Sequence, residues 1–122
     1  MLFVSDLTNM RVTQSTVLSP ELTSEAQKLG TLLARLRLSR GIKQQDAAVR
    51  AGISRNTAYR LEQGDPGLAV GQILRYLDAI APGQTLRELL AESNPALVAL
   101  GEREKKKRVR DMSSEERSNL DF

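Results

Sequence analysis

Between about residue 24 and residue 93 the apolar positions recur at helical spacing. Leu29, Leu32, Leu33 and Leu36 share one side of a helix predicted over about Ser24–Ser39. Ser24 with Gln27 offers it a capping box, and Gly41 stops it. Ala47, Ala48 and Ala51 give a small apolar side to a second helix, about Gln44–Ala51, which ends at Gly52. Ser54 is a good N-cap for a third helix, about Arg55–Gln63, closed by the turn residues Gly64-Asp65-Pro66-Gly67. A fourth, about Ala69–Ala81, carries Val70, Ile73, Leu74, Leu77 and Ile80 on one stripe and ends at Pro82-Gly83. Thr85 and Glu88 form a second capping box ahead of a fifth, about Leu86–Glu92, expected to bury Leu86, Leu89 and Leu90.

The two ends lack this period. MLFVS and RVTQSTVLS suit short strands or a loose arm, and Ser19-Pro20 closes that segment. Beyond Asn94-Pro95, PALVALG reads as one more helical turn or an apolar strap over the core; GEREKKKRVR is a charge run, and DMSSEERSNLDF is polar and acidic. The predicted organisation is an N-terminal arm at 1–23, an all-α, compact five-helix domain at 24–93, and an apolar strap followed by a basic then acidic tail at 94–122. Residues 102–122 are expected to be flexible.

Composition narrows the chemistry. Aromatic residues make up 3 % of the chain, so the core must be built from Leu, Ile, Val and Ala, which favours helix packed on helix. There is no Cys and no His, which removes disulfides, thiolate nucleophiles, imidazole bases and the usual zinc ligands. No paired carboxylates stand in an apolar, cleft-like context. The chain is expected not to be an enzyme, and neither a metal ion nor a cofactor is expected. No apolar run approaches the ~18–20 residues of a membrane span, and the first residues do not read as a signal peptide. The expected location is the reducing cytoplasm.

Charge changes the picture more. The net charge is +3 but unevenly placed. Residues 29–64 hold Arg35, Arg37, Arg40, Lys43, Arg50, Arg55 and Arg60 against Asp46 and Glu62 only, whereas residues 65–101 are mildly acidic. A local basic patch is the footprint expected for nucleic acid. The third helix sharpens this. At 3.6 residues per turn, Ala58 and Leu61 fall on one side, while Arg55, Asn56, Tyr59, Arg60 and Gln63 fall on the other. That outer set contains no acid. Arg can donate two hydrogen bonds to guanine O6 and N7, and Asn or Gln can pair with adenine N6 and N7. The Tyr hydroxyl can reach a phosphate, and its ring a thymine methyl. Two short helices joined by a glycine turn suit a helix-turn-helix, with alanines letting the second lie close on the first.

Lys43–Gly64, KQQDAAVRAGISRNTAYRLEQG, resembles the helix-turn-helix of the lambda Cro/CI (XRE-type) family. Gln44, Ala48, Gly52, Ile53, Ser54, Glu62 and Gly64 match that family's pattern in register, and LARLRLSRG resembles its first helix. Lys43 stands where the family has Thr or Ser, Ala47 and Ala58 replace larger aliphatics, and Tyr59 replaces a small polar residue. The volume missing at the alanines must come from the first or fourth helix. The resemblance implies that Arg55, Asn56, Tyr59 and Arg60 face base edges, with Gln44, Lys43, Arg40 and Ser54 toward phosphates. It implies a salt bridge from Arg37 to Glu62 that ties the first helix to the third. It also implies a homodimer on double-stranded DNA, acting as a transcription regulator.

The dimer surface is expected on the fifth helix with Leu97, Val98 and Leu100, or on N-terminal strands around Phe3 and Val4 or Val12 to Leu18. Lys105, Lys106, Lys107, Arg108 and Arg110 could follow phosphates or merely solubilise the chain. LEQGDPGLAVGQILRYLDAI and the KKRVR ending also resemble antitoxins encoded beside HipA-type toxins, so a toxin protein is an alternative partner. An RNA-binding or purely protein-binding module ranks lower, because sequence-reading RNA binders stack bases on aromatics.

Overall fold

The computed structural model describes residues 13–120, and the side chains of residues 13–112. Every regular element among the described residues is an α-helix: α1 Gln14–Val17, α2 Pro20–Ser39, α3 Gln44–Ala51, α4 Arg55–Glu62, α5 Val70–Ile80, α6 Leu86–Leu90 and α7 Pro95–Leu120. Helices α2 to α6 are the five predicted for the domain. Of the N-terminal strands, MLFVS lies outside the described residues, as do Phe3 and Val4. RVTQSTVLS is not a strand where it is described, since it contains the single turn of α1.

Two X-Pro pairs, Ser19-Pro20 and Asn94-Pro95, are helix starts. The Ser19 hydroxyl accepts from the Leu22 N–H at 3.2 Å, with Pro20 in the first turn, so α2 begins before the expected Ser24–Gln27 box. Asn94 Oδ1 accepts from Ala96 N–H at 2.9 Å, with Pro95 opening α7. Proline lacks only a donor that has no partner in a helix's first turn, and its fixed φ already suits the helix. The strap of residues 95–101 is thus the first part of a helix. The charged tail expected beyond it is helical as far as Leu120.

Helix α2 is the axis of the domain, packing against α4, α5, α6 and α7, while α3 packs against α4 and α5. The core gathers Leu33 and Leu36 of α2, the three alanines of α3, Ala58 and Leu61 of α4, and Leu77 and Ile80 of α5. Leu89 and Leu97 close it. Leu97 therefore belongs to the monomer's core and not to a free strap. The predicted stripe on α5 is rotated: Val70 and Leu74 are exposed, and Tyr76 is fully buried in their place. Leu90 is likewise exposed where burial was expected. Tyr76 is the largest of the fully buried side chains, so α5 supplies volume that the alanines of α3 and α4 leave free.

Candidate nucleic-acid interface

Helices α3 and α4 are short, eight residues each, and are joined by a tight turn at Gly52 in the left-handed conformation. Ser54 caps α4 as expected, its Oγ accepting from Thr57 N–H at 3.0 Å. At the far end Gly64, with φ +76°, lies against α2 so closely that a Cβ there would sit 2.5 Å from the Ala26 carbonyl oxygen. Gly30 of α2 faces the same crossing, where a Cβ would lie 2.5 Å from the Gly64 nitrogen. Two glycines thus let the end of α4 rest backbone to backbone on α2.

A buried carboxylate fastens α4 further. Glu62 is 8 % exposed and receives four donors. Arg37 Nε donates to Oε2 at 2.6 Å and Arg37 Nη2 to Oε1 at 2.9 Å, while Gln44 Nε2 donates to Oε1 at 3.1 Å. The Tyr76 hydroxyl donates to Oε2. Arg37 Nη1 donates to the Ile42 carbonyl at 2.8 Å. An ion pair taken out of water is tolerable only when its remaining hydrogen-bonding capacity is filled, and here it is. The hydrogen bond to Glu62 holds the Arg37 pKa above its ordinary value. Burial, followed by the bond to Glu62, raises that of Tyr76. One carboxylate therefore joins α2, α3, α4 and α5.

The opposite side of α4 is open. Arg55, Asn56 and Gln63 are exposed, and Tyr59 keeps 53 % of its surface in solvent. Arg60 is partly covered, because its Nε donates to Asp65 Oδ2 at 2.7 Å. Asp65 Oδ1 accepts from Gly67 N–H at 2.8 Å. The Gly67 bond first, and Arg60 second, hold the Asp65 carboxyl below its usual pKa.

A helix-turn-helix domain family profile matches residues 28–90, just over half of the chain. The chain belongs to the helix-turn-helix domain family. The match spans α3 and α4, most of α2, and all of α5 and α6. Comparison with curated proteins and with solved structures gave no match.

Membership of the family makes the exposed side of α4 the candidate reading surface. On it the structure brings together Arg55, Asn56 and Tyr59, with Arg60 held by its acidic neighbour. Arg40 and Lys43 are exposed in the segment joining α2 to α3, and Ser54 is exposed at the start of α4. Gln44 is turned to Glu62, so its amide braces α3 against α4. Among the described residues, Arg40, Lys43, Arg50 and Arg55 enter no ion pair, whereas Arg35, Arg37 and Arg60 of the basic patch do. Arg35 is held by Glu104 of α7, Nη1 to Oε2 at 2.9 Å and Nη2 to Oε1 at 2.6 Å.

Sequence reading missed three residues that matter here: Gly30, Asp65 and Tyr76. A glycine inside a helix, after Leu29 and ahead of Leu32 and Leu33, was the available signal for Gly30. A tyrosine on the buried side of a helix, in a core otherwise aliphatic, was the signal for Tyr76, since a buried hydroxyl needs a partner. No helix among the described residues is long and apolar enough to cross a membrane.

Proposed function

We propose that the chain is a sequence-specific double-stranded DNA-binding transcription regulator of the lambda Cro/CI (XRE-type) kind, working as a dimeric repressor on a palindrome-like operator. One observation carries this reading. Helix α4 is anchored on its inner side through Ala58, Leu61 and Glu62, and on its outer side it offers Arg55, Asn56 and Tyr59 to solvent. Long exposed donors, on a helix fastened at both ends, suit the edges of base pairs in a major groove. Arg55 and Asn56 stand in the first turn, the part of a recognition helix that reaches deepest. Arg40, Lys43 and Ser54 border this face and suit phosphates, which fix register without reading sequence. One such domain buries little surface on DNA. Two of them, on half-sites about 34 Å apart, would supply affinity and the symmetry of the site.

The test is enrichment of duplexes from a random pool, followed by a salt titration on the best site. The expected result is a palindrome-like sequence whose affinity falls with salt at a log–log slope of about −0.9 per phosphate neutralised. Equal binding to every duplex, with nothing enriched, would sink the sequence-specific claim.

A further inference from the structure

Asp65 stands just past the end of α4, and the chain fixes it in three ways. Gly64, in the left-handed conformation with φ +76°, turns the backbone where it rests on α2. Pro66 has a fixed φ on the other side. The Asp65 side chain closes a turn over Pro66, its Oδ1 accepting from Gly67 N–H at 2.8 Å. The second carboxylate oxygen, Oδ2, accepts from Arg60 Nε at 2.7 Å.

Arg60 is thereby held through one of its three nitrogens. Among the described residues no hydrogen bond uses its Nη1 or Nη2, and 43 % of its side-chain surface is exposed. Arg60 lies four residues after Asn56, about 40° round the helix from it and one turn along the outer side of α4. The guanidinium is clamped at Nε, and its two terminal amino groups are left over. Those two groups form a planar pair that matches guanine O6 and N7.

Charge points to orientation rather than attraction. Paired with Asp65, Arg60 adds no net charge to the face, so the pair gives little pull on phosphates. An acid at the edge of a DNA-facing helix would itself repel them. A partly solvated ion pair also does little for stability. What the pair supplies is a guanidinium held in place before any partner arrives, so less freedom is lost on contact.

We propose that Asp65 is a positioning residue for DNA recognition: it aims Arg60 so that the two terminal amino groups read one guanine, next to the base pair that Asn56 meets. This role rests on the reading of α4 as the helix that enters the major groove. It goes further in assigning a base to Arg60, and a selective task to an acid that acts only through Arg60.

The experiment compares the full-length wild type with Asp65→Asn, Arg60→Ala and the double variant. Asparagine keeps the shape of the side chain and an oxygen for Gly67 N–H, but turns a donor toward Arg60 Nε. The clamp is lost and the turn is kept. Each protein is titrated with the best duplex enriched by the wild type, with its single-base substitutions, and with a scrambled duplex of the same length. Unfolding is followed on the same samples. In Asp65→Asn the preference for guanine at one base position should fall about tenfold. Binding to the scrambled duplex should stay level or tighten, because an acid has gone. A residue that only held the fold would weaken both together. Arg60→Ala should lose preference at the same position, and adding Asp65→Asn to it should change no preference further. Unchanged preference in Asp65→Asn would overturn the role of Asp65. So would the same loss with Arg60 already removed, or a loss that only follows stability. In each of these results the enriched site still stands, and with it the reading of α4. A wild type that enriches no site would overturn both.

Discussion

Both sides of α4 carry hydrogen-bonding side chains, and the two sets are used in opposite ways. On the inner side, Glu62 is buried and saturated by Arg37, Gln44 and Tyr76. On the outer side, Arg55 and Asn56 are exposed, and among the described residues no hydrogen bond uses either side chain. Arg60 lies between these extremes, bonded to Asp65 while keeping 43 % of its side-chain surface exposed. The contrast separates two tasks that share eight residues. Hydrogen bonds that are filled hold the helix still, and donors left unfilled are available to a partner. Substitutions on one side should therefore change stability and leave recognition intact, and those on the other side should do the reverse.

The largest effect is expected at the buried pair. Arg37→Met leaves the Glu62 carboxylate buried with two of its four donors gone, which should cost about 3–5 kcal/mol in denaturant unfolding. A loss well under 1 kcal/mol would mean that water reaches the pair. Next comes the glycine crossing. Gly30→Ala places a methyl group on the Gly64 backbone, which cannot move without lifting the end of α4, and about 3 kcal/mol should be lost. Normal stability for that variant would show that α2 and α4 can separate freely.

Tyr76→Phe removes one donor to a charged acceptor and should cost about 2 kcal/mol at neutral pH. It also carries a signature in pH. The folded-state pKa of Tyr76 is raised, so its contribution is complete below the unfolded value and lost above it. Wild-type stability should fall as pH rises past about 10, where the phenol ionises only in the unfolded chain. The phenylalanine variant should lack that component, and an identical alkaline slope in the two proteins would contradict the bond to Glu62. Asp65→Asn, at a pair that is partly solvated, should cost less than about 1 kcal/mol. A larger loss would move Arg60 and Asp65 from the outer group to the inner one.

Much of this contrast was legible in the sequence. The bounds of α3, the Ser54 cap and the split of α4 into an apolar and a polar side follow from spacing alone. The Arg37–Glu62 bridge was implied by resemblance, and the geometry of its ends agrees. Less legible were features that depend on distant partners. Val70 and Leu74 fit the predicted stripe of α5 as well as Leu77 does. The helix instead buries Tyr76, whose ring fills volume beside the alanines and whose hydroxyl donates to Glu62. Gly30 lowers helix propensity wherever it stands, and its benefit appears only when Gly64 is brought against it. Ser19-Pro20 and Asn94-Pro95 fit a helix start as well as a helix stop, and the choice rests on the residues that follow. In α7 the Lys, Arg and Glu of the charge run are good helix formers, so propensity pointed to a helix where the lack of apolar period pointed to a tail.

The most direct test of the account is the base preference of the Arg55→Ala variant, measured by competition on the enriched site and its single-base substitutions, with unfolding followed on the same sample. The two-sided reading of α4 expects stability within about 0.5 kcal/mol of wild type. It expects binding weakened by about 1–3 kcal/mol, with discrimination lost at one base position in each half-site. Preference unchanged at every position, or binding that falls only in step with stability, would contradict the claim that the outer side of α4 reads DNA.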